Sequence, residues 1–238
     1  MSQNLIAINT RETSTTKQHN VGTRYVQGRD DDQKIYRYTL AGATALDPGK
    51  LVVNSDVDSD VVNKTVARTY AAGTTTVIID AAGAVAADEY EGGTLTISDA
   101  TGEGVSCRVS GNTVLTGAGE LTVYLKEPVP VALTIDVSEA TLLRNPWYGT
   151  VISATDQADL PVGVPNVTIA AGSYGWVQTR GECAVLADEA VAKGLELTIG
   201  TGVAGAVEAV DAAGEAKIGT AYEALVDTEY RAAYLSID

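Results

Sequence analysis

The sequence predicts an all-β fold: a glycine-punctuated β-sandwich or barrel core, a second small β module and an extended N-terminal arm. Short runs rich in β-branched and aromatic residues recur from residue 35 onward, and such runs favour strands. Glycine, which provides 24 of the 238 residues, separates these runs at the spacing of turns. No segment has a clear 3.6-residue apolar period, so no helix is predicted.

The apolar composition is sufficient for a core built from Val, Ile, Leu and Ala. Hydrophobic residues make up 45% of the chain, and because Phe is absent, eleven Tyr and two Trp supply all the aromatic area. Tyr and Trp have a polar tip, so they suit half-exposed surfaces and interfaces. Strand ends and sheet edges are the alternative position for most of them.

The formal net charge is −15, from 16 basic and 31 acidic residues. This charge repels nucleic-acid backbones and anionic membrane surfaces, so neither nucleic acid nor membrane is predicted as a partner. Residues 1–34 differ from the rest, because their five basic and four acidic side chains give +1 while the remaining residues carry −16. The arm and the body are therefore predicted to face different surroundings.

Targeting and cross-linking signals are weak. The first residues lack the basic and apolar regions of a signal peptide, and no segment approaches the roughly 18 apolar residues of a membrane span. Cys107 and Cys183 lie far apart and outside metal-ligand spacing. Two separate buried thiols are favoured over a disulfide between them.

The chain divides into three predicted parts. Residues 1–34 are polar and predict a flexible arm, or a segment that orders on a partner. Residues 35–64 together with 137–238 predict a β-core domain. Residues 65–136 predict an inserted or lateral sandwich or barrel module, because short strand patterns follow one another there at regular spacing.

Local patterns place the strands and turns. Arg180 and Gly181 predict the turn of a hairpin within residues 174–186. Pro161 and Pro165 predict the two ends of a rigid loop. The remaining strands are predicted at residues 35–40, 51–53, 74–79, 93–98, 105–110, 121–125, 132–137, 150–154, 167–170, 195–199, 206–210, 216–226 and 230–237.

An acidic loop resembles the beginning of a calcium-binding loop. Asp56, Asp58 and Asp60 alternate as the first ligands of such a loop do. However, Val61 stands where the loop requires Gly, and Ala67 stands where it requires a bidentate Glu. A solvated acidic loop is the better interpretation.

No catalytic constellation stands out. Residues 200–205 match Gly-x-Gly-x-x-Gly, but Gly214 interrupts the helix that a dinucleotide site needs. His19, the only histidine, lies in the polar arm, away from any nucleophile motif. Paired carboxylates for glycoside hydrolysis remain open, yet no pair is distinctive and a solubilising acidic surface is favoured. The protein is therefore predicted not to be an enzyme, with no catalytic residues, no cofactor and no metal.

Two segments resemble a known family. One is Leu-Ala-Gly-Ala-Thr-Ala-Leu-Asp-Pro-Gly-Lys-Leu-Val at residues 40–52, and the other contains Ser-Tyr-Gly-Trp-Val-Gln at residues 173–178. Together they resemble capsid decoration (cement) proteins and related virion structural proteins of tailed bacteriophages. The resemblance covers residues 35–53 and roughly the last 95 residues. It implies an all-β protein on the outside of an icosahedral shell, often a trimer at three-fold positions, without catalytic residues.

The expected function is therefore non-enzymatic: a homotrimer, made in the host cytoplasm, that binds the lattice of the major capsid protein on its outer surface and stabilises it. A head-fibre or tail-associated virion protein with a surface that binds host glycans is the alternative. A carbohydrate-active enzyme or sugar-binding module is a third. The candidate interface combines basic residues of the arm with aromatic residues: Arg11, Lys17, Arg24, Tyr25, Arg29, Trp147, Tyr148, Tyr174 and Trp176.

Overall fold

A computed structural model of the protein describes residues 8–28 and 33–238. Sixteen strands and one short 3-10 helix lie within these residues, which confirms the all-β prediction. The chain forms two compact units, one from Met1–Ser55 with Pro146–Asp238 (unit 1) and one from Asp56–Asn145 (unit 2). No helix in the described part of the chain is long and apolar enough to cross a membrane.

Unit 1 contains ten strands and unit 2 contains six. The strands of unit 1 are β1 (Arg24–Gln27), β2 (Lys34–Ala41), β3 (Val52–Val53), β10 (Tyr148–Ile152), β11 (Pro161–Pro165), β12 (Tyr174–Leu186), β13 (Glu196–Ile199), β14 (Val207–Ala209), β15 (Gly219–Ala221) and β16 (Tyr230–Ser236). The elements of unit 2 are the 3-10 helix (Ser59–Val61), β4 (Lys64–Thr65), β5 (Thr76–Ala81), β6 (Thr94–Asp99), β7 (Ser106–Asn112), β8 (Gly119–Leu125) and β9 (Glu139–Leu143).

Five strands of unit 1 close into a first ring. β2 pairs in parallel with β10, and antiparallel pairs then follow from β10 to β3, from β3 to β11, from β11 to β12 and from β12 back to β2. Ala41, Val52, Val162 and Val177, from four of these strands, belong to one buried cluster. Closure leaves none of the five strands with an open edge at the pairing sites, which protects them from edge-to-edge aggregation.

A second ring uses the other half of β12. This half pairs with β16, and the sheet continues through β15 and β13 to β14. Ala187, the residue after β12, forms a parallel bridge with Val207 of β14 and so brings the last strand back to the first. Val185, Leu197 and Leu235 belong to the buried cluster of these strands.

Gly181 allows one strand to serve both rings. The pairing of β12 with β2 shifts register between Gln178 and Arg180, and Gly181 follows with φ +91°. A Cβ atom at Gly181 would lie 3.2 Å from the carbonyl oxygen of Gln33, so both conformation and space favour glycine. The predicted hairpin turn at Arg180 and Gly181 is wrong, because the chain bends there without reversing and continues as one strand of 13 residues.

Other local predictions also differ from the structure. The predicted loop between Pro161 and Pro165 is the buried strand β11, and its two prolines occupy the strand ends, where the ladder tolerates them best. The predicted strands at 132–137 and 167–170 reduce to isolated bridges, Leu133 with Tyr70 and Ile169 with Leu46. Residues at single bridges alternate in burial as strand residues do. The local sequence pattern therefore does not distinguish an isolated bridge from a strand.

Unit 2 is a closed antiparallel barrel. Its strand order is β4-β9-β6-β7-β8-β5, and a bridge between Val66 and Ile79 joins the two ends of the sheet. Residues 56–64 and 137–145 belong to this unit, so it extends beyond the predicted module at 65–136. The unit is longer than the predicted module because β9 pairs with β6 along its whole length, and these two strands are distant in sequence.

The N-terminal prediction needs correction. Residues 8–28, named the strap here, lie against unit 1 instead of forming a flexible arm. The N–H groups of Ser14 and Tyr174 donate to each other's carbonyl oxygens over 3.0 and 2.7 Å, and β1 pairs with β2. The strap is ordered because it covers aromatic side chains on the sheet beneath it. The other parts of the predicted arm, residues 1–7 and 29–32 with Arg29, lie outside the described residues.

Unit 2 is inserted where a hairpin turn would suffice. β3 and β10 are antiparallel neighbours in unit 1, and the 90-residue unit Asp56–Asn145 interrupts the chain between them. The Ser55 hydroxyl donates to the carbonyl oxygen of Tyr148 over 3.1 Å, which holds the two stems together within unit 1. Each unit has a buried cluster of its own.

We expect a fragment of residues 56–145 to fold alone, because its barrel closes without residues from unit 1. Its far-ultraviolet circular dichroism should be β-rich, and urea should unfold it in one cooperative transition. The variant Leu95→Asp, which buries a charge in the barrel core, is the control for loss of folding. A fragment with a coil spectrum and no transition would contradict the expectation.

Candidate functional site

An aromatic cluster lies between the strap and the sheet formed by β2 and β12. Tyr36, Tyr38 and Trp176 are only 2–3% exposed. The ring centroids of Tyr38 and Trp176 are 5.0 Å apart, and Tyr38 stacks on Tyr174 at 5.8 Å with an interplanar angle of 8°. These distances are typical of attractive aromatic pairs.

The strap contributes two rings of its own. His19 lies 5.1 Å from the ring of Tyr38 and 5.4 Å from that of Trp176, and Tyr25 lies 5.9 Å from Trp176. The backbone N–H of Gln18 donates to the hydroxyl of Tyr38 over 3.1 Å. The sole histidine of the chain therefore serves as a packing group in this cluster.

The structure separates the predicted interface residues into exposed basic residues and covered aromatic residues. Arg11, Lys17 and Arg24 are exposed on the strap, as an interface requires. Trp176 is wrong as an exposed interface residue, because the chain's own strap covers it. Tyr25 and Tyr174 are half-buried beside it and join the same cluster.

A buried amide fixes the sheet next to this cluster. Gln178 is 1% exposed, and its side-chain nitrogen donates to the carbonyl oxygens of Arg180 and Glu182 over 3.0 and 2.8 Å. Its side-chain oxygen accepts a hydrogen bond of 3.2 Å from Asn166. These bonds tie the side chain of Gln178 to the backbone on both sides of Gly181, next to the register shift of β12.

Deleting residues 1–21 should uncover the aromatic cluster while β1 remains. We expect the free energy of unfolding to fall by roughly 3 kcal/mol, because burial of a large apolar side chain stabilises by about 1.5–3 kcal/mol and each ring is uncovered only in part. Urea denaturation gives the stability, and binding of the dye ANS reports the exposed rings. Deleting only residues 1–7 is the control. Unchanged stability and dye binding after the longer deletion would show that the strap does not cover the cluster.

Trp147 belongs to a separate arrangement, and Tyr148, the other predicted aromatic residue, is half-buried at the start of β10. The indole nitrogen of Trp147 donates to the carbonyl oxygen of Val162 over 3.0 Å, and the guanidinium of Arg37 lies 4.7 Å from its ring centroid. Arg37 also donates two hydrogen bonds, of 2.6 and 2.9 Å, to the carboxylate of Asp238. Trp147 is therefore half-buried and held in place, which suits a structural role better than recognition.

The pair between Arg37 and Asp238 gives a pH-dependent contribution to stability. Hydrogen bonds from Arg37 lower the pKa of Asp238, so this contribution is present above the unfolded-state pKa and is lost as the pH falls through the folded-state value. Replacing Asp238→Asn should cost about 0.5–1 kcal/mol at pH 7, the upper range for a surface pair, and much less at pH 3. Urea denaturation at both pH values measures it, with the exposed Asp211→Asn as control. An equal loss at both pH values would contradict the assignment.

Groups that resemble chemical motifs have partners within the chain. Asp58 accepts a hydrogen bond of 2.9 Å from the N–H of Asp60 as cap of the 3-10 helix, and it also pairs with Arg144 at 3.1 Å. The glycine-rich loop at 200–205 donates the N–H of Gly202 to the carboxylate of Asp188 over 2.6 Å. Within the described ranges, no three His, Cys, Asp or Glu side chains form a cluster suited to a metal ion.

Both cysteines are buried and free, as predicted. Cys107 lies in the core of unit 2, and Cys183 lies in the second ring of unit 1. Burial raises the pKa of Cys107, and it raises the pKa of Cys183 to about 12. Neither thiol is a candidate nucleophile, because the reactive form is the thiolate.

The outer side of the second ring carries an open group of tyrosines. Tyr222, Tyr230 and Tyr234 are 52%, 51% and 37% exposed. Tyr230 and Tyr234 point outward from β16, with Ala232 between them, and the N–H of Tyr222 donates to the carbonyl oxygen of Ala232 over 3.1 Å. These three tyrosines with Ala184 and Ala232 are named the tyrosine face. Small residues at its centre leave the rings accessible from outside.

Acidic residues border this face. Cross-strand register places Glu182 directly opposite Tyr234, with Thr220 on the other side of Tyr234 and Glu196 beyond Thr220. Residues 181–238 contain eleven acidic and three basic side chains, a net of −8 out of −15 for the whole chain. The nearby Lys217 pairs with Glu196 and Arg231 pairs with Glu229, so two of the three basic charges are already compensated.

A hollow continues the tyrosine face beside Tyr230. It has a volume of about 520 Å³, and its lining includes Asp47, Pro48 and Ala184. The ring of Tyr230 packs on Gly49, where an added Cβ would lie 2.7 Å from two ring carbons. The ring is thus supported from below while half of its surface stays open.

Sequence reasoning missed the tyrosine face. Tyr230 and Tyr234 are four residues apart in a predicted strand, and this even spacing places them on the same side. Alternation with the apolar Ala233 and Leu235 would have predicted that side to face outward. The Tyr-Gly-Trp-Val-Gln segment has the stronger local pattern, and it lies in the covered cluster.

No protein-family model, curated protein sequence or solved structure matches this chain. The interpretation of its surfaces therefore depends on its own residues.

Proposed function

We propose that this chain is a non-enzymatic structural protein of a tailed-phage virion, which binds the outer surface of the capsid lattice as a homotrimer and stabilises that lattice. The major capsid protein is its partner, and host cytoplasm is its place of synthesis. The proposal combines the family resemblance of residues 40–52 and 173–178 with the surface properties of unit 1.

The tyrosine face is the observation that carries this proposal. Exposed aromatic residues grouped on one sheet face are typical of protein-binding surfaces, where Tyr is enriched at the residues that contribute most affinity. Tyr222, Tyr230 and Tyr234 satisfy this description on a rigid, hydrogen-bonded sheet. A rigid surface loses little conformational entropy on binding, which favours permanent attachment to a lattice.

The charge of the body supports an outer position. A chain with a net charge of −15 would be repelled by packaged DNA on the inner side of a shell. The closed rings support a role that requires durability, because strands with paired edges resist local opening and aggregation. Histidine is the residue that most often acts as a general base. Here His19 packs among aromatic rings, which supports a structural role for it.

Immunogold labelling of virions tests the proposal directly. We expect antibodies against this chain to label the shell of the phage whose genome encodes it, and we expect purified chain to co-sediment with capsids that lack it. Labelling of the tail or fibres, or no co-sedimentation, would contradict a capsid-binding role.

Analytical ultracentrifugation of the purified chain gives its assembly state, and a strict monomer would contradict the trimer.

The double variant Tyr222→Ala/Tyr234→Ala tests which surface is responsible. Truncation of two exposed residues that contribute most affinity should weaken capsid binding about tenfold or more. Tyr124→Ala is the matched control, because Tyr124 is 43% exposed on unit 2. Equal binding by the double variant and the control would exclude the tyrosine face as the attachment surface.

A further inference from the structure

We infer that the tyrosine face recognises a protein segment rich in Arg or Lys, whose cationic side chains lie over the open tyrosine rings and pair with the bordering glutamates. This inference rests on the proposed function, because it names the chemistry of the partner that the attachment surface would bind.

The first reason is the geometry of the rings. A cation binds to the face of an aromatic ring within about 6 Å of its centroid, and this requires an uncovered ring face. Tyr222 and Tyr230 have about half of their surface open, and Ala232 provides no side chain that could block the space between the rings. By contrast, Tyr38 and Trp176 at the centre of the aromatic cluster under the strap are nearly buried and offer no open ring face.

The second reason is charge. Glu182 lies directly opposite Tyr234, so a side chain placed over that ring has a carboxylate beside it. Glu196 lies beyond Thr220 on the other side, where it pairs with Lys217. The surrounding residues 181–238 carry a net charge of −8. An acidic partner would be repelled there, and a neutral partner would not be attracted. A basic partner is attracted both during approach and in the bound complex.

The third reason is the hollow beside Tyr230. Its volume of about 520 Å³ is sufficient for a long side chain, and Asp47 supplies a further carboxylate at its wall. The ammonium group of Lys50 lies 2.9 Å from that carboxylate, so the charge of Asp47 is already compensated and the hollow contributes mainly its apolar and aromatic surface. An incoming Arg would find the aromatic ring of Tyr230 and an apolar floor formed by Pro48 and Gly49.

Fluorescence anisotropy with a labelled (Gly-Arg)6 peptide tests this inference without any capsid. We expect saturable binding by the full chain, and we expect the Tyr222→Ala/Tyr234→Ala variant to bind about tenfold more weakly. Glu182→Gln/Glu196→Gln should weaken binding roughly threefold and reduce its dependence on salt. A (Gly-Glu)6 peptide should not bind.

The matched controls are Tyr124→Ala and Glu103→Gln, both exposed positions of unit 2. Equal losses in the controls and in the face variants would show general attraction to an acidic protein and would overturn the inference, as would absence of peptide binding. Capsid co-sedimentation distinguishes the two proposals. A chain that binds capsids equally well at high salt and after both glutamate changes retains the proposed function and loses this inference, whereas a chain that binds the peptide but no capsid loses the function alone.

Discussion

The structure of unit 1 depends on the continuity of β12. Its first half pairs with β2 and β11 in one ring, and its second half pairs with β16 in the other. A single residue without a Cβ atom, Gly181 at φ +91°, allows the strand to bend between the two partners without ending. If the chain reversed there, the second ring would lose the half of β12 that pairs with β16, and no single strand would join the two rings.

β12 also determines where the two aromatic groups of unit 1 lie. Its first half carries Tyr174 and Trp176 beneath the strap, and its second half presents Glu182 and Ala184 beside Tyr234. One aromatic surface is thus used inside the molecule and the other remains open. The strap makes this division, since residues 8–28 have no buried residue of their own and are ordered by the rings they cover.

The sequence predicted the elements that local pattern determines. β-branched alternation located β2, β5, β6 and β16 to within two residues, and the repeated short runs between glycines, without a 3.6-residue apolar period, predicted the all-β class. The predictions are wrong where contacts between residues distant in sequence determine the local conformation. Gly181 has the local signature of a turn, yet pairing with β16 keeps the chain extended. The polar strap has the composition of a disordered segment, and only the aromatic surface folded beneath it explains its order. The covered position of Trp176 and the open position of Tyr234 follow from the same tertiary arrangement, which spacing alone does not provide.

Burial of both thiols has a consequence for where the protein can function. Neither unit relies on a covalent cross-link, and a pKa of about 12 keeps Cys183 protonated at any physiological pH. Disulfide exchange requires a thiolate, and burial disfavours that form at both positions. The same conformation can therefore persist in a reducing cell interior and in an oxidising external medium. Each unit is therefore held together by packing and hydrogen bonds alone, whatever the redox state of its surroundings.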